Sequence, residues 1–477
     1  MRKLILAMSL LACACSTGPA YKPPATPTAL AGPFVTSAPG TNPRADLPND
    51  WWRLYQDPVL DALVARAFEA NADLRVAAAN LAKARAAADE ARSGRLPGTT
   101  VSGGASYGGT VQTGSGSGST AALGSNQFAG YAQAGVSWEV DLFGRIGSRV
   151  AAAEADTQAA AAARDAVRVL VAAETARAYL DACAHADAVA VARQSWEVSE
   201  RHFELVETLE KAGAAGKLEV ERAGAAAAAV RAAIPPLEAQ RHAALFELSA
   251  LLGSAPRDLP EGASNCTTLH EPATDIPVGD GATLLRRRPD LREAERRLAG
   301  DMARIGVASA DLYPTISLGG VGNFFRSDEV RGSDSLSFSL GPLLSWSFPN
   351  ISAARARVRQ ARAQGNASLA RFDGLVLNAL KEVEQALTRV AAGRNELDAL
   401  EEARTRAEKS WRLAEQRYKA GSVGNLEVLL ALGTLLDARA SVADARHRLA
   451  SARVDLFKAL GGGWEEAPSS GQRRFGK

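Results

Sequence analysis

Apolar positions recur along this chain with two different periods, and the switches between them outline its elements. Val428, Leu435, Val442, Leu449 and Leu456 stand seven residues apart, and Arg439, Arg446 and Arg453 lie four positions behind three of them. That pattern predicts a coiled-coil seam with solvated flanks. Helical patterning also begins near Asp57-Pro58, with Leu60, Leu63, Ala67, Leu74, Ala77 and Leu81, and stops near Leu96-Pro97. Further helical stretches run from about Gly144 to Glu210, then to Leu252, from Ala282 to Leu312, from about Ile351 to Ala420, and on to Leu460. A continuous helix over residues 144–210 would be about 100 Å long, a rod that is stable only by packing against neighbours. Period two takes over elsewhere. Ala132, Ala134, Val136, Trp138 and Val140 alternate with Gln133, Gly135, Ser137, Glu139 and Asp141, and Leu336, Phe338 and Leu340 with Ser337, Ser339 and Gly341. Such stretches predict strands with one apolar and one polar face.

The two periods come in the same order twice. Lys211-Ala-Gly-Ala-Ala-Gly-Lys-Leu-Glu-Val220 aligns with Lys419-Ala-Gly-Ser-Val-Gly-Asn-Leu-Glu-Val428 at an offset of 208, and Trp138 and Trp346 share that offset. The period is far longer than solenoid repeats use. The expected layout is a first repeat over 51–252, with two strands in 97–143 and long helices over 144–252. A Pro-rich linker (253–281) follows, then a second repeat over 282–461 with two strands in 314–348 and long helices over 350–461, and a tail over 462–477. Strands of this length with one apolar face suit a transmembrane barrel. Four strands cannot close one, so several chains must each contribute strands.

The leader changes the picture. Met1-Arg-Lys-Leu-Ile-Leu-Ala-Met-Ser-Leu-Leu-Ala12 has a charged start and a short apolar core, so residues 1–14 read as a secretory signal. Cys13 and Cys15 follow small residues, as in the lipobox of bacterial lipoproteins; Leu10-Leu11-Ala12 before Cys13 fits that box better than the residues before Cys15. Several acyl chains would anchor the protein where one could not. Residues 15–50 then read as an extended arm, rich in Pro, Ala and Thr. Cys183 and Cys266 read as two free or buried thiols. No other apolar run reaches the length of a transmembrane helix.

Charge and chemistry mostly exclude. With 55 basic and 53 acidic side chains, the chain has no basic footprint for nucleic acid. His185, His202, His242, His270 and His447 are scattered without metal-ligand spacing, and no Gly-x-Ser-x-Gly elbow, kinase set or Cys-x-x-Cys occurs. Neither a catalytic set, a metal site nor a cofactor is expected, so the chain does not read as an enzyme. Gly213, Gly216, Gly421 and Gly424 sit where long helices must reverse, and Glu219 and Glu427 follow the two turns at identical spacing. Such paired acids could ring a narrow end, where crowded negative charge favours cations.

Together these features resemble the TolC-like outer-membrane efflux factors, in their lipoprotein branch. The resemblance rests on Cys15-Ser-Thr-Gly-Pro-Ala-Tyr21, Trp51-Trp52 with Asp57-Pro58, Trp138-Glu-Val-Asp-Leu-Phe-Gly-Arg145, Arg288-Pro-Asp-Leu-Arg292, Tyr313-Pro314 and the two Ala-Gly turns. The spacing from the cysteine to Pro19 and Tyr21 in that family favours Cys15 over Cys13 as the lipidated residue. The implied fold is mainly α with β: a homotrimer in which each protomer gives four strands to a twelve-stranded transmembrane β-barrel, continued by a coiled-coil α-barrel. Arm, linker and tail would form a belt around the α-barrel. The implied function is the exit duct of a tripartite pump in the outer membrane, lipid-anchored, with the helices extending into the periplasm. A periplasmic adaptor and an inner-membrane transporter would be its partners. The four turn glycines would dock the adaptor, and Glu219 and Glu427 would narrow the entrance. Leu430, at a position often acidic in the family, and the lack of an Arg after Gly424 point to a differently latched gate. Leu336, Phe338 and Leu340 would face lipid, and Ser337 and Ser339 the pore. One rival reading is a lipid-anchored periplasmic coiled-coil spacer or adaptor without a pore, which leaves the four alternating strands unexplained; a second, an envelope hydrolase using carboxylates on the helices, predicts a compact catalytic domain that the sequence does not contain.

Overall fold

The computed structural model describes residues 21–24, 30–108, 127–327 and 330–464. The signal segment, both cysteines of the leader, residues 109–126 and most of the tail therefore lie outside the described residues. The chain divides into two compact units. One comprises Leu81–Ala159 and Ala294–Phe372 with residues 21–24; the other comprises residues 30–80, Ala160–Glu293 and 373–464.

The first unit holds a four-stranded antiparallel sheet, β2 (Gly98–Gly108), β3 (Gln127–Val140), β5 (Thr315–Ser327) and β6 (Leu336–Ser345), ordered β2-β3-β5-β6. The register settles which residues share a face. Gly103–Ala132–Phe324–Leu336, Val101–Ala134–Gly322–Phe338 and Thr99–Val136–Gly320–Leu340 form successive rows across all four strands. Interleaved with them are Ser102–Gln133–Asn323–Ser337 and Thr100–Gly135–Val321–Ser339. Paired residues lie on one face, and successive rows point to opposite faces. The two stripes visible in the sequence thus merge into one apolar face over four strands, backed by a face of mostly small and polar side chains that also carries Tyr131, Val321, Phe325 and Leu343.

The segment Trp138–Arg145 makes the corner where β3 passes into a helix. Trp138 Nε1 donates to the Arg95 carbonyl at 3.0 Å. Asp141 accepts from the backbone N–H of Ile146 (2.9 Å) and Gly147 (2.7 Å), capping the first turn, where free N–H groups and the helix dipole favour a carboxylate. Glu139 pairs with Arg145, and Phe143 stacks on Tyr313 with ring centroids 4.7 Å apart. The second repeat copies one contact, Trp346 Nε1 to the Leu312 carbonyl.

The helices are α1 (Pro58–Ala70), α2 (Ala72–Ser93), α3 (Arg145–Lys211), α4 (Lys217–Ala232), α5 (Ile234–Leu251), α6 (Glu261–Ser264), α7 (Gly281–Arg287), α8 (Pro289–Ala310), α9 (Ser352–Lys419) and α10 (Asn425–Ala459). Three stretches that read as single helices are each split. Asn71 divides the first: its Oδ1 accepts from the N–H of Asp73 and Leu74 while its Nδ2 donates to the Leu251 carbonyl. Arg288 divides the stretch before β5, held extended because Pro289 follows it. Ala233 separates α4 from α5, just before Pro235 and Pro236.

The second unit has its core where Trp51 stacks on Phe457 at 4.4 Å. Asp57 explains its own place in the sequence: Oδ1 caps α1 through Val59 N–H, and Oδ2 accepts from the buried Tyr179 hydroxyl at 2.7 Å. Arg288 binds Asp290 (2.7 Å), Glu382 (2.8 Å) and the Ala459 carbonyl (3.0 Å), which accounts for the Arg-Pro-Asp motif. Arm and linker meet in a short parallel pairing of β1 (Thr41–Asn42) with β4 (Ile276–Pro277). A Cβ at Gly462 would stand 2.7 Å from Leu47 and 2.9 Å from Trp51, so a side chain there would have to push one of these buried groups aside.

One expectation is overturned. Cys183 and Cys266 are not free thiols; they form a disulfide between α3 and the linker, 83 residues apart in sequence. Sequence spacing carried no sign of it, because the pairing depends on the linker crossing α3 at that point.

Candidate functional site

The site has two parts, one in each unit. The first is the apolar face of the sheet. Leu336, Phe338 and Leu340 are 68%, 86% and 83% exposed, an arrangement soluble proteins avoid because it leaves a large apolar surface in water. Aromatic side chains bound the face: Tyr107 and Phe128 at the loop end, Trp138 and Trp346 at the helix end. From Phe128 to Trp138 is ten residues, about 33 Å of strand, which at a tilt near 40° spans about 25 Å of height. That matches the apolar band of an outer-membrane barrel with its aromatic girdles. The outer edges of β2 and β6 have no strand beside them among the described residues. No described helix is long and apolar enough to cross a membrane.

The second part is the pair of helical turns. Their backbones match residue for residue at the offset of 208. Ala214 N–H donates to the Leu209 carbonyl and Ser422 N–H to the Arg417 carbonyl; Gly213 and Gly421 donate to Glu210 and Tyr418. This is a helix stop that requires a left-handed residue. Gly213 (φ +76°) and Gly421 (φ +70°) supply it. Gly216 (φ −94°) and Gly424 (φ −83°) instead sit in ordinary extended backbone and cap the following helices. Only the first glycine of each turn is demanded by conformation.

The two acids differ. Glu219 reaches back to accept from Gly216 N–H at 3.1 Å, the acid's half of a capping box, since the glycine has no side chain to return the bond. The Glu427 carboxylate is exposed and makes no hydrogen bond or ion pair among the described residues. Sequence reading missed Leu218 and Leu426, which are 61% and 54% exposed at matching positions beside the acids; the signal was an apolar residue conserved between the two repeats at a turn. It also missed pairings of the scattered histidines. His447 Nε2 lies 2.8 Å from Asp181 Oδ1, with His185 against its ring, and His202 Nε2 lies 2.8 Å from Asn425 Oδ1. Among the described residues, no cluster of three or more His, Cys, Asp or Glu is arranged to hold a metal ion. Cys15 lies outside the described residues, but Tyr21 does not: its hydroxyl donates to Glu295 Oε1 at 2.8 Å.

The sequence matches the outer membrane efflux protein family over residues 63–254 and 282–462. It is 31% identical to outer membrane protein OprJ of Pseudomonas aeruginosa, over 99% of this chain and 98% of that one. Nodulation protein T of Rhizobium leguminosarum bv. trifolii is 30% identical over 97% of both chains. The solved outer-membrane channel OprN superposes with a TM-score of 0.85 at 32% identity, over 94% of this chain and all of its own. The open state of the MtrE outer membrane channel of Neisseria gonorrhoeae gives 0.79 at 26% identity, over 94% and 99%.

Proposed function

The chain belongs to the outer membrane efflux protein family and is an outer-membrane efflux channel, and on that premise we propose that three copies form one duct fed by a periplasmic adaptor and an inner-membrane transporter. The observation that carries the proposal is the continuous apolar face on a sheet with two open edges. Unpaired edges cannot persist in lipid, so β2 of one copy must pair with β6 of another. Two copies would close eight strands, whose interior side chains fill. Three copies close twelve, and the opposite face, mostly Ser, Thr, Gly, Gln and Asn with Tyr131, Val321, Phe325 and Leu343 among them, then lines a space wide enough to hold water. Conduction and gating are the mechanism, and no bond is made or broken.

Exposed Leu218 and Leu426, beside turns of identical geometry, support the turns as the adaptor's docking surface, with Gly213 and Gly421 holding their shape. Glu427, and Glu219 behind it, would narrow the entrance as six carboxylates in a threefold assembly. Lipidation falls to Cys15. The bond from Tyr21 to Glu295 holds the arm against α8 six residues after Cys15.

Planar-bilayer conductance and heat-modifiable migration of the detergent-extracted protein test the duct: a non-conducting monomer would favour the periplasmic spacer instead. Mass spectrometry of the mature amino terminus tests the anchor. Acylation at Cys13, or none, would remove Cys15.

A further inference from the structure

The two turns share a backbone but differ in what ties them to their unit. Asn425, the first residue of α10, is 1% exposed and is the one polar side chain among the fourteen buried residues of that helix. Its Oδ1 accepts from Nε2 of His202 on α3 at 2.8 Å, and His202 is itself 8% exposed. Two polar groups beside this bond are left over: Asn425 Nδ2 and the hydroxyl of buried Ser199, one turn back on α3, have no hydrogen-bond partner. The positions 208 residues away are Ser410, matching His202, and Lys217, matching Asn425; both are exposed. The duplication therefore breaks here. The first turn closes on itself through Glu219, and the second is pinned to α3.

We propose that His202 and Asn425 are positioning residues that dock the α9–α10 turn onto α3, and that a proton on His202 loosens the dock. The proposal rests on reading the turns as the duct entrance. A neutral imidazole with its hydrogen on Nε2 satisfies Asn425 Oδ1. The imidazolium carries a second N–H and a full charge into a site where Asn425 offers no countercharge. The groups around it supply only a weak one. On α9, the Tyr418 ring centroid lies 6.4 Å away, and the Glu415 carboxylate is engaged by Lys419 at 2.9 Å. Burial, and after it the charge of Glu219 on α4, raise the Tyr418 hydroxyl above its ordinary value. Burial pushes the His202 imidazole below its ordinary value, against smaller opposing pulls from the Asn425 bond and the Glu415 charge.

The sign follows from linkage. The undocked imidazole binds a proton more readily than the docked one. Docking is complete above the undocked pKa and weakens as pH falls through it towards the docked pKa. Each unit of separation is worth about tenfold in the docking equilibrium. Polar pins in apolar helix seams commonly set register at some cost in stability, and the unmet groups at Ser199 and Asn425 suit a contact meant to release.

Two readouts on the full-length lipidated trimer test this. A spin label on Ser422→Cys, an exposed turn position, reports turn mobility, and single-channel recording reports the entrance. Between pH 7.5 and 5.5 both mobility and open probability should rise several-fold. His202→Gln, which keeps an N–H donor for Asn425 but cannot titrate, should flatten both profiles. Asn425→Asp supplies the missing countercharge and should reverse the label's response. A wild-type label that ignores pH, or a His202→Gln profile unchanged from wild type, overturns the pin. A label that responds while conductance does not would uphold the pin and remove the turn from the entrance.

Discussion

An arginine at Leu340 should destabilise the assembled channel far more than an arginine one residue earlier, at Ser339. Leu340 lies opposite Gly320, which is midway along the apolar set Ile316, Leu318, Gly320, Gly322 and Phe324 of β5. It therefore falls near the centre of the apolar band, with its side chain 83% exposed on the face that lipid must cover. An arginine on the lipid face at the midplane costs about 2–4 kcal/mol. Three copies repeat the cost at well-separated places, so the trimer loses about 6–12 kcal/mol if the sites are additive. Ser339 shares its row with Thr100, Gly135 and Val321, on the face turned to water, where the same charge should cost little. Leu340→Ala separates lost packing from the effect of charge. The assay is the guanidinium midpoint of the folded trimer in lipid vesicles, read by its heat-modifiable band. Equal losses for Leu340→Arg and Ser339→Arg, or a larger loss at Ser339, would refute the assignment of faces and with it the barrel.

Reducing the Cys183–Cys266 bond, which spans 83 residues of sequence, should lower stability by about 4–5 kcal/mol on the chain-entropy argument; non-reducing peptide mapping checks the bond, and guanidinium unfolding with and without reductant checks the loss. Glu427→Ala should lower cation selectivity and sensitivity to divalent block without changing stability. Glu219→Ala should in addition cost about 0.5–1.5 kcal/mol, because that carboxylate also caps α4; unchanged conductance in the double variant would leave the turns as docking surface only. Gly213→Ala forces a side chain into left-handed backbone and should cost about 1–2 kcal/mol, whereas Gly216→Ser, at an N-cap in extended backbone, should be neutral or better by thermal unfolding.

What the sequence determined by itself was whatever depends on local period and on duplication. Strand alternation, the heptad stripe of α10 and the matched turns all follow from residue order, because side-chain direction repeats every two residues in a strand and about every 3.6 in a helix. Breaks within helices were less visible. Pro289 could have marked one, but Asn71 looks like any polar helix residue until its amide meets the Leu251 carbonyl. Register was beyond reach: Leu340 and Val136 share a face only because β5 lies between their strands and aligns both on Gly320. The same holds for every pairing of distant residues. Cys183 with Cys266, Tyr179 with Asp57 and His202 with Asn425 depend on which helices and loops become neighbours. Local propensity carries no information about contacts across 83 or more positions, because they are selected by the packing of the whole unit. Glu219 and Glu427 show both sides at once. Their matched spacing was legible in the residues, but only the folded turns separate the carboxylate that caps its own helix from the one left free to act.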